Sequence, residues 1–244
     1  MNNGKQEIIL KGLPSSGGNG SGTANHYKRE EVYVTERILT DEELEAELVL
    51  LDEAIERSRH EVQKIANFAH EKLNEEAAQI FESQLLMLDD VEMRKALDMR
   101  LRREKKNADF LVYDELQKYK ELLGGASDEL LRERVVDLDE IGQRIMRNLQ
   151  KKRLHSTVEG EHVIIASQLT PSDTILFSKN DVLGYATDLG GITSHAAILS
   201  RSLKIPAVTA LHTVTAVVQT GDEVILDIQS GVPIPLRTTA KSTS

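Results

Sequence analysis

Cysteine is absent from all 244 residues, and so is tryptophan. Without a thiol the chain can form no disulfide, no thiolate metal site and no cysteine nucleophile, which fits a reducing compartment. No apolar run reaches the roughly 18–20 residues that would cross a bilayer, and Met1-Asn-Asn-Gly-Lys5 lacks the apolar centre of a signal peptide. The expectation is a cytoplasmic protein with no membrane association. Positive charge is also in deficit: 30 Lys and Arg face 40 Asp and Glu, a net charge of −10 that argues against nucleic acid and favours a basic protein partner. The remainder is ordinary for a globular chain of one or two domains, with 40% hydrophobic and 29% charged residues.

Proline and glycine are missing from the middle. All five prolines lie outside residues 15 to 170, and only three glycines fall between 40 and 150, so that segment can hold long helices. Thr40-Asp-Glu-Glu43 is a capping box, and after it Leu44, Leu48, Leu51, Ile55, Val62, Ile65 and Ala69 recur at helical spacing, predicting a helix near 41–70. A second is expected near 74–88, with Ala78, Phe81, Leu85 and Leu88 on one face. Asp89 or Asp90 caps a third that runs to Leu123, ended by Gly124-Gly125, and Ser127 caps a fourth reaching about Lys151. The sum is a four-helix, hairpin-like bundle.

Either side of it the pattern changes to short β-branched runs. Ile9–Pro14, Glu31–Val34, His162–Ser167, Val182–Thr187, Ala207–Thr209 and Val224–Asp227 read as strands, which implies a bundle inserted into one α/β domain. Ser15–Gly22 has no helical pattern after it and reads as a flexible loop, while residues 236–244 read as a frayed polar linker.

The chemistry concentrates between Asp188 and Val208. Gly190 and Gly191 admit backbone angles closed to other residues, and Thr193 or Ser194 is a natural N-cap for the apolar run that begins at Ala196. His195 therefore lands in the first turn of a helix, where free backbone N–H groups and the positive end of the helix dipole favour an anion by about 0.3–1 kcal/mol. The other histidines, His26, His60, His70, His155, His162 and His212, have no Cys, and no His at helical spacing, to complete a metal site.

Gly-Gly-Ile-Thr-Ser-His-Ala-Ala-Ile-Leu-Ser-Arg-Ser-Leu-Lys-Ile-Pro-Ala-Val, residues 190–208, resembles the phosphohistidine signature of the phosphoenolpyruvate-utilising enzymes, roughly Gly-Gly-x-Thr-Ser-His-x-x-Ile-x-Ala-Arg-x-Leu-x-Ile-Pro-Ala. Enzyme I of the sugar phosphotransferase system, pyruvate phosphate dikinase and phosphoenolpyruvate synthase all share it. Leu169-Thr-Pro-Ser-Asp-Thr174, the helical stretches around Glu75-Glu76, Leu86–Asp90 and Leu131–Gly142, and the opening strand are similar to Enzyme I.

That resemblance implies an α/β swivelling phosphohistidine domain in two parts, residues 1–38 and 153–237, around a helical carrier-docking domain, 39–152, with 238–244 as a tail. It implies that His195 is phosphorylated on Nε2, that Thr174 orients its ring, and that Gly190, Gly191, Thr193, Ser194 and Arg201 support the phosphoryl group. For Arg201 a plain helix-end cation is an equal alternative, and for Thr174 a simple N-cap. The partner implied is the histidine-containing phosphocarrier protein, docked through Glu75, Glu76, Leu85, Leu86, Met87, Asp90 and Arg134. No metal or cofactor is expected in this chain. Phosphoenolpyruvate, magnesium and dimerisation belong to a further half of the family's full-length enzyme, so the fragment is expected to be monomeric. Two departures stand out: Asp139 where the family often has Arg, and Ile192 where it often has a cation. A dihydroxyacetone-kinase phosphoprotein and a non-catalytic adaptor remain alternatives.

Overall fold

The computed structural model describes residues 5–29, 32–123, 129–152, 160–228 and 234–241. They fall into two compact units. One takes the described residues up to Arg29, Lys72–Ala77 and those from Gly160 onward; the other takes Val32 to Glu71 and Ala78 to Lys152.

The first unit is α/β. Seven strands, β1 (Lys5–Ser16), β2 (Gly18–His26), β3 (His162–Ala166), β4 (Gly184–Thr187), β5 (Ala207–Thr209), β6 (Glu223–Ile228) and β7 (Ile234–Lys241), close into a barrel of order β1-β5-β4-β3-β2-β6-β7. The run β2-β3-β4-β5 is parallel and the remaining pairs are antiparallel. The parallel steps are bridged by α6 (Pro171–Phe177) between β3 and β4 and by α7 (His195–Leu203) between β4 and β5; a single turn, α8 (Val214–Val217), follows.

β3 explains itself from sequence. Val163 and Ile165 pack with Val208, Val224 and Leu226, whereas Ile164 and Ala166 pack with Phe177 and Tyr185, so the strand is buried on both faces and reads as an unbroken apolar run. Tyr27 meets Phe177 edge to face at 4.8 Å. Burial pushes the Tyr185 phenol well above its ordinary pKa, and its hydroxyl donates to the Thr174 carbonyl at 3.4 Å.

Three expectations fail here. Gly18–Gly22 is part of β2, not a loop. Its glycines are there for space: a Cβ on Gly20 would stand 2.4 Å from the Leu183 carbonyl oxygen, and one on Gly22 would stand 2.5 Å from Leu183 Cδ1. Residues 238–241 are not tail, because β7 pairs with β1 from Lys5↔Lys241 to Gly12↔Ile234 and closes the barrel. Residues 32–34 form no strand.

The second unit is helical: α1 (Asp41–Lys72), the body of α2 (Glu75–Leu88), α3 (Val91–Glu104), α4 (Ala108–Leu123) and α5 (Glu129–Leu149). The capping box forms as expected, Glu43 N–H donating to Thr40 Oγ1 at 3.3 Å and Thr40 N–H to Glu43 Oε2 at 2.8 Å. Asp90, not Asp89, caps α3 through Glu92 N–H at 2.8 Å. The expected glycine stop at Gly124-Gly125 and the Ser127 cap lie outside the described residues.

The third expected helix is two. Lys105 takes a left-handed φ of 49° and ends α3, and Ala108 N–H starts α4 by donating to Glu47 Oε1 at 2.8 Å. Asn107 holds the break by accepting from Arg37 N–H at 2.7 Å and donating to the Thr35 carbonyl at 2.9 Å. The same bonds tie residues 35–37 to the helices, so the seam of the helical unit falls before Val32 and not at residue 38. Arg100 then clasps α3 to α4, at 2.9 Å from Glu104 and 2.5 Å from both Asp114 and Glu115.

Candidate functional site

The histidine loop leaves β4 on a fixed base. Asp188 N–H donates to Ala166 O at 3.2 Å and Leu189 N–H to Ser167 O at 2.9 Å, which continues the β3–β4 pairing one step past the strands. The Asp188 carboxylate, buried at 7% exposure, accepts from Thr215 N–H at 3.3 Å and from the Thr215 hydroxyl. Its carbonyl accepts from His212 N–H at 3.1 Å. Thr187 Oγ1 donates to the Leu189 carbonyl at 2.7 Å.

From that base the chain turns at Gly190, whose φ of +103° favours glycine, and runs through Gly191, Ile192 and Thr193 to the helix cap. Ser194 is the N-cap of α7: its Oγ accepts from Ala197 N–H at 3.4 Å and donates to the Gly191 carbonyl at 2.8 Å. His195 is the first residue of α7 and is half-buried. His195 thus stands at the N-terminal end of α7, the end whose helix dipole favours an anion.

Arg201 faces the loop from the last turn of α7. Its Nη1 donates to the Ile192 carbonyl at 2.6 Å and to the Ser15 carbonyl at 3.1 Å. Ser15 sits where the β1–β5 register slips between Pro14 and Ser16, which frees its carbonyl from the ladder. Ser16 Oγ also donates to Ser200 O at 3.2 Å. Through Nη1 the arginine therefore staples loop, helix and β1 together, in addition to standing as an exposed cation at the C-terminal end of α7.

Thr174 lies on α6, which packs against α7, and is fully buried. It is not the N-cap: Thr170 caps α6 in a reciprocal box with Asp173, at 3.2 and 3.0 Å, and Asp173 also accepts from Tyr27 OH at 2.9 Å. The Thr174 hydroxyl donates to the Thr170 carbonyl at 3.0 Å. Its one hydrogen is thus spent, and its lone pairs can only accept.

The residues assigned to docking are spread along the helices. Glu75 and Glu76 are exposed in the first turn of α2, and Arg134 is exposed on α5. Of Leu85, Leu86 and Met87 only Leu86 stands out, at 73% exposure; its neighbours are half-buried because successive helical residues fan about 100° apart. Asp90 is committed to capping α3. Asp139 is paired with Lys120 at 2.5 Å, which offsets the charge that distinguishes it from an arginine. Among the described residues no three His, Asp or Glu side chains gather in a way that could hold a metal ion, and no helix is long and apolar enough to cross a membrane.

Sequence reasoning missed Asp188 and Thr215. Asp188 lies two residues before the motif, but nothing in the sequence separates a buried, bonded carboxylate from a solvated one, and Thr215 is 27 residues away.

Comparisons with known proteins cover nearly the whole chain. The family described as PEP-utilising enzyme, N-terminal, matches residues 11–134, and PEP-utilising enzyme, mobile domain, matches residues 158–231. The phosphoenolpyruvate-protein phosphotransferase of Geobacillus stearothermophilus is 35% identical over 229 residues, 93% of this chain and 39% of that protein. That of Bacillus subtilis is 33% identical over 220 residues, 89% of this chain and 38% of that protein. The chain thus spans about two fifths of the length of the curated relatives it matches. A solution structure of an Enzyme I protein, nEIt, superposes with a TM-score of 0.70 at 38% identity, covering 93% of this chain and 92% of that one. The N-terminal domain of a nitrogen Enzyme I shares the fold at a TM-score of 0.60 and 22% identity, over 94% of this chain and 93% of that one.

Proposed function

This chain belongs to the phosphoenolpyruvate-utilising enzymes, and we propose that it is the phosphoryl-transfer half of a phosphoenolpyruvate-protein phosphotransferase, relaying phosphate through His195 to a histidine-containing phosphocarrier for sugar uptake. The observation that carries the reading is His195 at the first position of α7, behind a glycine turn and a serine cap. Nε2 attacks the phosphorus of the phosphorylated carrier while Nδ1 keeps its hydrogen. The P–N bond to the carrier breaks as the P–N bond to His195 forms, and the carrier imidazole departs with the electron pair. No proton has to move, so catalysis reduces to positioning and charge stabilisation. The Thr174 hydroxyl, with its donor spent, accepts from Nδ1–H and fixes the tautomer that exposes Nε2. Gly190, Gly191, Thr193 and the first turn of α7 surround the phosphoryl group.

The carrier docks on α2 around Leu86, with Glu75 and Glu76 in the first turn of that helix meeting a basic rim. The fragment is monomeric and cytoplasmic. The resemblance to Enzyme I assigns phosphoenolpyruvate, magnesium and dimerisation to a further half of the family's full-length enzyme. The test is incubation with radiolabelled phosphocarrier. The wild type takes up acid-labile, base-stable label, His195→Gln folds but takes up none, and phosphoenolpyruvate with magnesium alone labels neither. Label in His195→Gln overturns the assignment.

A further inference from the structure

The loop that carries His195 exposes two large apolar side chains to water, Leu189 at 52% and Ile192 at 53%. Both stand on immobilised backbone. The Leu189 carbonyl is held by Thr187 Oγ1 at 2.7 Å, and the Ile192 carbonyl by Arg201 Nη1 at 2.6 Å. The loop also closes on the helix cap, since a Cβ on Gly190 would lie 3.7 Å from Ser194 Oγ. Ile192 is three residues from His195, within about 11 Å by chain reach alone. Apolar groups displayed on a pinned loop cost no ordering when a partner covers them, which is the property of a contact surface.

Charge narrows the partner. Between Thr187 and Ser200 the only Asp, Glu, Lys or Arg is Asp188, and its carboxylate is buried under Thr215. Beyond it Arg201 is exposed, but its Nη1 is engaged by the Ile192 and Ser15 carbonyls, so the stretch from Thr187 to Arg201 presents an approaching protein with one bonded cation and no exposed Asp, Glu or Lys. Transfer between two imidazoles requires both nitrogens to close on one phosphorus at near-contact distance, so whatever delivers the phosphoryl group must cover this loop. Covering it also excludes the water that would hydrolyse a phosphohistidine.

We propose that Leu189 and Ile192 form an apolar clamp either side of Gly190-Gly191, on which the phosphocarrier seats an uncharged, apolar face beside its own histidine. This rests on the phosphoryl-transfer reading above. It assigns the helical dock to salt-sensitive steering and the loop to a salt-insensitive contact made only during transfer.

The experiment measures rapid-quench phosphoryl transfer from purified, histidine-phosphorylated carrier to Leu189→Ser, Ile192→Ser and the double variant. Leu189→Ile and Ile192→Val serve as conservative rescues, and Ile9→Ser, 52% exposed on β1, as an apolar control. Each serine variant is expected to lose about fivefold in kcat/KM through KM and the double about 25-fold, with the loss unchanged by added salt and with full labelling at saturating carrier. Rescues and control behave as wild type. Wild-type kinetics in the double variant, or a loss that salt abolishes, overturns the clamp while leaving the phosphoryl-transfer reading intact. Failure of the wild type to accept label overturns that reading, and the clamp with it. A wild type that sediments as a dimer and a double variant that sediments as a monomer, with transfer unchanged, reassign the patch to self-association.

Discussion

One residue, Thr215, satisfies both oxygens of the buried Asp188 carboxylate, with its backbone N–H at 3.3 Å to one and its hydroxyl to the other. The bond pair joins the start of α8 to the base of the histidine loop, so the loop is braced from a segment 27 residues downstream.

Removing that brace should cost stability. Hydrogen bonds to a charged group contribute about 1.5–3 kcal/mol. Asp188→Ala is expected to lower stability by about 2 kcal/mol and Asp188→Asn, which keeps one acceptor, by about half as much. Thermal unfolding followed by circular dichroism measures both. Equal melting temperatures for wild type and alanine variant would show the carboxylate to be dispensable.

The Arg100 clasp predicts a pH window. Hydrogen bonds from Arg100, then Arg103, hold Glu104 down at about 2 from an ordinary 4.5, and Asp114 is lowered by Lys118 and Arg100. A depressed carboxylate contributes its full stability above the unfolded value and loses it as pH falls through the folded one. Wild-type stability should therefore fall between pH 4.5 and about 2. Arg100→Met should be less stable at pH 7 and lose less across that window, which urea midpoints at pH 7, 4 and 2.5 would reveal. Parallel pH curves for the two proteins would refute the clasp.

β2 supplies a contrast between two glycines two positions from its start and one before it. Gly20→Ala forces a methyl against the Leu183 carbonyl oxygen at 2.4 Å and should destabilise by about 1–3 kcal/mol. Gly17 has nothing within 4 Å of its would-be Cβ, and Gly17→Ala should stabilise by about 0.4–1 kcal/mol through the unfolded chain. Urea unfolding of both checks the barrel register; a stabilising Gly20→Ala would contradict it.

These glycines show what the sequence hides. Helix α1 was legible because its cap and its apolar spacing are local, and α7 because Ser194 and the glycine turn lie beside the histidine they serve. The break at Lys105 was not, since no glycine or proline marks it and its capping groups, Glu47 and Arg37, come from distant chain. β2 and β7 were misread for the same reason: a polar glycine run and a polar end without apolar alternation do not read as strands alone and are fixed by ladders to β6, β3 and β1. Within the site, the motif identified the loop, but the stapling by Arg201 depends on a bulge at Ser15 that only the folded barrel creates.

Thr174 allows structure and chemistry to be separated. The Thr170 carbonyl accepts from both the Thr174 hydroxyl, at 3.0 Å, and the Thr174 backbone N–H, at 3.1 Å. In Thr174→Val the second bond survives and the side-chain volume is nearly kept, so stability should change by about 1 kcal/mol or less. On the proposed role of Thr174, the variant loses the acceptor for Nδ1–H and frees the ring to take the tautomer that carries its proton on Nε2. Phosphoryl transfer from the carrier should then slow about tenfold, equivalent to 1.36 kcal/mol on the barrier, while Thr174→Ser retains the rate. Nitrogen-15 chemical shifts of the His195 imidazole read the tautomer directly. A valine variant with an unchanged tautomer and an unchanged rate would confine Thr174 to its place in the helix.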